Sequence, residues 1–157
     1  MKKKAIACIL TACMLTLSPL CAQADAAKAP AVYYSETGGL TQSIEPRLNY
    51  LSSVFTHFVI SGSYAQMQGN YTIFSNMKVR LQVVMQHSSN NSTWSNVSGE
   101  SWSQTWITSG QHILPCRSHA PLAHGYYYRA QTTATVLSSS GAPLETVIVY
   151  SNPSYYA

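Results

Sequence analysis

Four side chains able to ligate a metal or carry out thiol chemistry crowd into one short stretch, His112-x3-Cys116-x2-His119-x4-His124. Imidazole nitrogen and thiolate sulfur are the standard ligands of tetrahedral zinc, and a site is assembled from three or four of them. The stretch holds no cysteine pair and matches no standard zinc spacing. A metal centre here therefore requires the fold to bring His112, Cys116, His119 and His124 together. The same residues suggest a second chemistry, with Cys116 as nucleophile and His112 or His119 as its base. That chemistry also needs an orienting third group and an oxyanion site, and the sequence identifies neither. The plain alternative is a set of scattered surface histidines beside an incidental thiol.

Carboxylate chemistry is poorly supplied. Glu100 and Glu145 are the only acidic residues in the region expected to fold, whereas a glycosidase sets two carboxyl groups across one bond. Nucleotide-binding glycine loops, a serine elbow and an HExxH helix are missing from the sequence. The expectation is a protein that is not an enzyme and carries no cofactor. Aromatic residues remain: Trp94, Trp102, Trp106 and Tyr126 to Tyr128 have the ring types that stack on sugars or anchor a protein partner. A β-domain buries at least one tryptophan, and Tyr126 and Tyr128 share a strand face. Trp106 and the outward Tyr127 are thus the expected ligand-binding pair, with an extracellular protein or a glycan as the partner class.

The elements that would position these groups are strands. Val54 to Ile60 reads as a strand with apolar residues on both faces. Ala65, Met67, Gly69, Tyr71 and Ile73 alternate with polar residues, as do Val79, Leu81, Val83 and Met85, and alternation with period two marks a half-buried strand. Ser61 to Ser63, Ser75-Asn76 and His87 to Thr93 read as turns. Trp94 to Thr108 reads as one bent strand or two short ones around Gly99. Residues 110–123 read as irregular, because Pro115 and Pro121 argue against a central strand. Leu122 to Val136 is a turn feeding a long central strand, Ser138 to Pro143 a loop, and Glu145 to Tyr150 the last strand, ended by Asn152-Pro153. No helical stripe appears beyond the N-terminal segment.

That segment has the form of a secretory signal: Met1 to Lys4 is positive, Ala5 to Leu17 is apolar, and Ala22-Gln23-Ala24, with Ala24-Asp25-Ala26 as a second candidate, supplies the small residues of a cleavage site. Residues 1–26 are assigned to it, and the protein is expected to be secreted. A lipid anchor on Cys13 or Cys21 is the alternative. Cleavage after Ala24 removes three of the nine basic residues and leaves six against five acidic ones. The basic pI then belongs to the leader and gives no reason to expect nucleic acid as a partner. Cleavage leaves one cysteine, Cys116, so no internal disulfide framework forms, and a hydrophobic core must supply stability. No membrane span is expected after cleavage. The expected order is a leader to residue 26, a flexible arm or linker over 27–47, a β-domain over 48–152 and a short tail over 153–157.

About seven strands with frequent turn signals are the signature of an antiparallel β-sandwich of immunoglobulin or fibronectin III type; a closed barrel is the alternative. Leu122-x2-Gly125-x2-Tyr128-x-Ala130 resembles the loop-to-strand corner of fibronectin III domains, in which a tyrosine bonds back to the preceding backbone. His124 stands where those domains usually have proline. A wider set of segments resembles a family of small secreted proteins of Gram-positive anaerobes, themselves of unknown function. It comprises Leu51 to Val54, Val79-x-Leu81-x-Val83-x-Met85-Gln86, Ser92-x-Trp94-Ser95-x-Val97, Gly125-Tyr126-x-Tyr128-Arg129 and Glu145 to Val147. This resemblance spans about residues 50 to 150 and implies a fold but no chemistry. The chain departs from that pattern at residues 111–124.

Overall fold

The computed structural model describes residues 31–34 (backbone only), 48–119 and 121–157. The expected signal, its lipidation alternatives at Cys13 and Cys21, and most of the expected arm lie outside the described residues. The described chain is all-β. Its strands are β1 (Ala31–Tyr34), β2 (Leu51–Ser61), β3 (Tyr64–Ser88), β4 (Ser95–His119), β5 (Tyr126–Leu137), β6 (Pro143–Tyr150) and β7 (Ser154–Tyr156). They form one sheet, antiparallel except where β1 runs parallel to β6, and the sheet curls on itself. No helix among the described residues is long and apolar enough to cross a membrane.

The curl is set by two strands of 25 residues each, β3 and β4, against a usual strand of about 5–6 residues. Along its first half, β3 lies between β2 and the second half of β4, with Val54 opposite Tyr71 and Tyr71 opposite His112. Along its second half it lies between β5 and the first half of β4, with Val83 opposite both Thr132 and Trp102. Between the halves Ile73 pairs Gly110 and Met77 pairs Thr108. Phe74, Ser75 and Asn76 thus stand opposite Ser109 alone, and such a bulge bends the strand that carries it. Gly110 takes φ +84° on the facing strand, a conformation costly for a residue with a Cβ. Phe74 N–H donates to Tyr50 O, which satisfies one of the groups the bulge removes from the ladder.

The turn expected at Ser75-Asn76 is therefore a bend without chain reversal, since residues on both sides of it pair with the same antiparallel neighbour. The irregular segment expected over 110–123 is also different: β4 continues through His119. Pro115 is tolerated there because β4 pairs only with β3, so one edge of β4 carries no partner strand among the described residues. Leu114 pairs Gly69 and Arg117 pairs Met67, so Pro115 and Cys116 face Gln68 alone. Proline, with no N–H to donate, is confined to such edges and bulges. Residues expected as arm and tail supply β1 and β7. β7 prolongs the line of β6 along β5, pairing Tyr155 with Tyr127.

Bending the sheet brings the apolar faces of its two halves together. Leu51, Ala65, Met67, Tyr71 and Ile73 from one half meet Val79, Leu81, Val83, Met85, Ala130, Ala134, Val136, Val147 and Val149 from the other. These are the alternating positions of the sequence pattern. Gly69 lies at the closest approach, where a Cβ would stand 2.6 Å from Val83 Cγ2 and 2.9 Å from Thr132 Cγ2. β4 folds over with the rest. Arg117 sits 5.2 Å from the centre of the Trp102 ring, and His119 Nδ1 lies 2.7 Å from Glu100 Oε1. Where β2 begins, the Glu145 carboxylate on β6 accepts the backbone N–H groups of Asn49, Tyr50 and Leu51 at 3.2, 2.8 and 3.3 Å.

The loop before β5 is held by Tyr128. Its hydroxyl donates to Ala123 O at 3.1 Å and accepts from Ala123 N at 3.0 Å, the backward tyrosine bond expected of this corner. Burial raises its pKa, the Ala123 backbone bond works the other way, and Tyr126 and Tyr156 add smaller upward contributions. Tyr128→Phe removes both bonds while keeping the ring in the core. Urea denaturation should register a loss of between about 1 and 2 kcal/mol. An unchanged midpoint would mean that the corner is held by packing alone.

Tyr71 provides a pH-dependent test of the core. It is fully buried and its hydroxyl has no hydrogen-bond partner. Burial pushes its pKa up from 10.0 to about 12, because the tyrosinate cannot be solvated there. Below pH 10 folded and unfolded states are both protonated at this group, so its contribution to stability is fully present. Between pH 10 and about 12 the unfolded state releases the proton and the folded state keeps it, so stability falls as pH rises. Tyr71→Phe should flatten the alkaline loss seen in denaturation curves across that window.

Candidate functional site

The fold does not gather the four zinc-type residues. His112 and His119 lie seven positions apart on β4, and a strand rises about 3.3 Å per residue. His112 faces inward, stacked on Tyr71 with ring centroids 5.9 Å apart and tilted against Trp106 at 5.7 Å, and it is hydrogen-bonded to Thr108 Oγ1. His119 is paired with Glu100. His124 stacks on Tyr156 at 4.6 Å and bonds Ala157 O. Cys116 is exposed on the bulge, its thiol turned to Arg117 O at 3.9 Å. Among the described residues no group of three or more His, Cys, Asp or Glu side chains is placed to hold a metal ion. The two carboxylates have separate partners, Glu100 the His119 ring and Glu145 the β2 backbone.

The expected aromatic pair is also separated. Trp106 turns toward the core, 5.9 Å from Tyr71. Tyr127 does face outward, half-buried against Tyr155 at 4.8 Å. Trp102 is the core tryptophan, 7% exposed. The remaining one, Trp94, stands at the end of the β3–β4 turn and belongs to a different assembly.

That assembly is centred on Arg129, which shares the outward phase of β5 with Tyr127 and Gln131. Its guanidinium lies between two rings, with its central carbon 4.1 Å from the Trp94 centroid and 4.1 Å from that of Tyr150. Cation–π contacts with a desolvated guanidinium are each worth about 2 kcal/mol. Arg129 is 9% exposed, and its Nε donates to Gln86 Oε1 at 2.9 Å. Gln86 Nε2 in turn donates to Asn96 Oδ1 at 3.0 Å and to Gln131 Oε1 at 2.9 Å, and Gln131 Nε2 donates to Thr133 Oγ1 at 3.3 Å. The donors run in one sense, so each amide has a single orientation and the arginine is fixed from behind.

Beside Arg129 lies an open cavity of about 380 Å³ with Asn91, Ser92, Trp94, Ser151, Asn152 and Pro153 in its walls among the described residues. The walls are built rigidly. Asn90 Oδ1 accepts the N–H groups of Ser92 and Thr93 at 3.0 and 2.9 Å, closing the turn and presenting Asn91. Asn91 takes φ +56°, a left-handed conformation that asparagine tolerates better than most residues. On the other side Ser151 Oγ accepts Ala130 N–H at 2.9 Å and Ser151 N–H donates to Ala130 O at 2.9 Å. These bonds hold the link between β6 and β7 against β5.

Sequence reasoning missed this site, although part of its signal was present. Alternation with the inward Tyr128 already puts Arg129 on the outer face. Trp94 and Tyr150 come from distant segments, and only the register of β5 with β3 and β6 sets them on either side of it. No protein-family model matches this chain and no curated protein matches it, so the meaning of the Arg129 site rests on its own geometry.

Proposed function

We propose that this protein is an exported, non-enzymatic binding module on a β-sandwich of immunoglobulin or fibronectin III type, and that it engages its partner at the Arg129 cavity. The sandwich reading is supported by the pairing pattern. Taken at their bends, β3 and β4 supply two segments each, and with β2, β5 and β6 they make seven. Three of these (β2 and one half each of β3 and β4) face four others across the core, a division akin to that of seven-stranded immunoglobulin domains. The tyrosine corner sits where that class has it. Export is supported by the charged, apolar and small-residue order of residues 1–26.

The observation that carries the binding role is the stacked Arg129 at the back of a cavity with polar, hydrogen-bonded walls. Its volume lies within the range of small-ligand clefts, and its walls offer fixed polar groups that can orient a ligand. The test is a screen of the protein on immobilised glycans and extracellular proteins, repeated with Trp94→Ala and Trp106→Ala. The expected result is at least one retained ligand whose binding drops about tenfold or more with Trp94→Ala and holds with Trp106→Ala. Loss with Trp106→Ala alone would move the site to the originally expected aromatic. Retention of nothing on either array would reject the binding role.

A further inference from the structure

We infer that the first half of β4 is a homodimer interface, at which two copies of this chain join edge to edge about a two-fold axis at Gln104 into one continuous antiparallel sheet. This goes beyond the binding role proposed above and uses no residue of the Arg129 cavity. Among the described residues β4 pairs only with β3, so alternate N–H and C=O groups along its far side have no strand to receive them. From Ser101, opposite Val84, to Thr108, opposite Met77, the ladder with β3 runs without a register shift. Gly99 at φ +79° and Gly110 at φ +84° bound this regular run. Sheet edges that stay single are blunted by charge, proline or bulges. The second half of β4 carries such devices in Pro115, the bulge opposite Gln68 and Arg117. Ser101 to Leu114 holds no Lys, Arg, Asp, Glu or Pro, so the first half is left open to pairing.

The side chains single out a second copy as the occupant. A two-fold pair is isologous, so the patch must complement itself. With Gln104 on the axis, Ser103 stands opposite Thr105 of the second copy, Trp102 opposite its Trp106 and Ser101 opposite its Ile107. Trp106 is only half-buried, and Ile107, at 74% exposed, is the most exposed large apolar side chain among the described residues. The pairing covers both, and it sets indole rings in opposed cross-strand pairs of the kind that stabilise antiparallel sheets. Gln104 is exposed and its amide both donates and accepts, so the two copies can bond amide to amide across the axis. The nearest charge, Glu100, falls opposite Thr108 of the second copy, so no like charges meet. An unrelated extended segment would gain the ladder bonds alone, without this match of side chains.

The experiment is sedimentation velocity of the protein from about 5 to about 500 μM, in reducing buffer so that the exposed Cys116 thiol forms no crosslink. The expected result is a reversible monomer–dimer equilibrium of the weak kind that small interfaces give. Gln104→Lys and Gln104→Glu each set like charges against one another on the axis, and each should weaken the dimer about tenfold or more. An equimolar mixture of the two variants should restore it, because opposite charges then meet. His57→Lys, at an exposed position on β2, should leave the dimer unchanged. Hydrogen exchange on the unaltered protein gives a readout that needs no variant: the amides of Ser101 to Ile107 that point away from β3 should slow as concentration rises, and those of β2 should not. A monomer at every concentration overturns the proposal. So does a dimer that persists in both Gln104 variants, or that is lost with His57→Lys. Failure of the mixture to restore the dimer would overturn the two-fold axis at Gln104, as would a dimer whose β4 amides exchange as fast as those of the monomer.

Discussion

Gly69→Ala lowers the stability of this protein by about 2–3 kcal/mol, and its melting temperature falls on the order of 10 °C. The added methyl would stand 2.6 Å from Val83 Cγ2 and 2.9 Å from Thr132 Cγ2. Both neighbours are fully buried and β-branched, with little rotamer freedom, so neither can swing aside. The facing halves of the sheet must separate locally, and every contact around the closest approach loosens. On the backbone alone the substitution would favour the strand, because alanine has fewer unfolded conformations to lose than glycine. The sign of the result therefore reports the packing. Val83→Ala removes the nearer obstacle, so the penalty of Gly69→Ala should shrink by about 1 kcal/mol in that background. A neutral or stabilising Gly69→Ala in the otherwise unchanged protein would mean that the two halves do not approach as described.

Glu145→Ala costs about 2 kcal/mol by the same measurement. Its carboxylate collects three backbone N–H groups at the start of β2, a strand that pairs with β3 alone among the described residues. Hydrogen bonds to an ionised acceptor are about twice as strong as neutral ones, and this one side chain ties the first strand of the domain to β6. Glu145→Gln keeps an acceptor oxygen but loses the charge, and should fall between the two. Hydrogen exchange gives the local readout: the amides of Asn49, Tyr50 and Leu51 should lose protection in Glu145→Ala while those of Leu81 and Val83 stay slow. Uniform loss of protection across both groups would show that Glu145 acts on global stability and does not hold this edge in particular.

Much of the core was legible before the fold was known. Alternation at Val79, Leu81, Val83 and Met85, and at Ala65, Met67 and Tyr71, marks the buried face, because a strand exposes alternate residues to opposite sides. Tyr128 was legible as a corner because its chemistry is local: the hydroxyl and Ala123 lie five positions apart. What sequence could not carry is the identity of neighbours. Ser75-Asn76 has turn residues, yet whether the chain reverses or only bends there depends on β4, which pairs on both sides. Pro115 argues against a central strand and says nothing against an edge. The spacing of His112, Cys116 and His119 looks compact along the chain, but an extended backbone draws it out, and each side chain finds its own partner. Arg129 is the converse case, a residue unremarkable in sequence whose surroundings come from β3, β6 and the β3–β4 turn.

The long β3–β4 pair also bears on how the chain folds. Both faces of the core hang on one hairpin, closed by the short turn between Ser88 and Ser95. Its zippering from that turn uses contacts of low sequence separation at first, and these form quickly. The slow, high-separation step left over is docking β2 and β5 onto a hairpin that has already bent. A slip in the hairpin's register would misplace residues on both halves at once, so misregistered chains bury neither half properly and have no stable trap in which to rest.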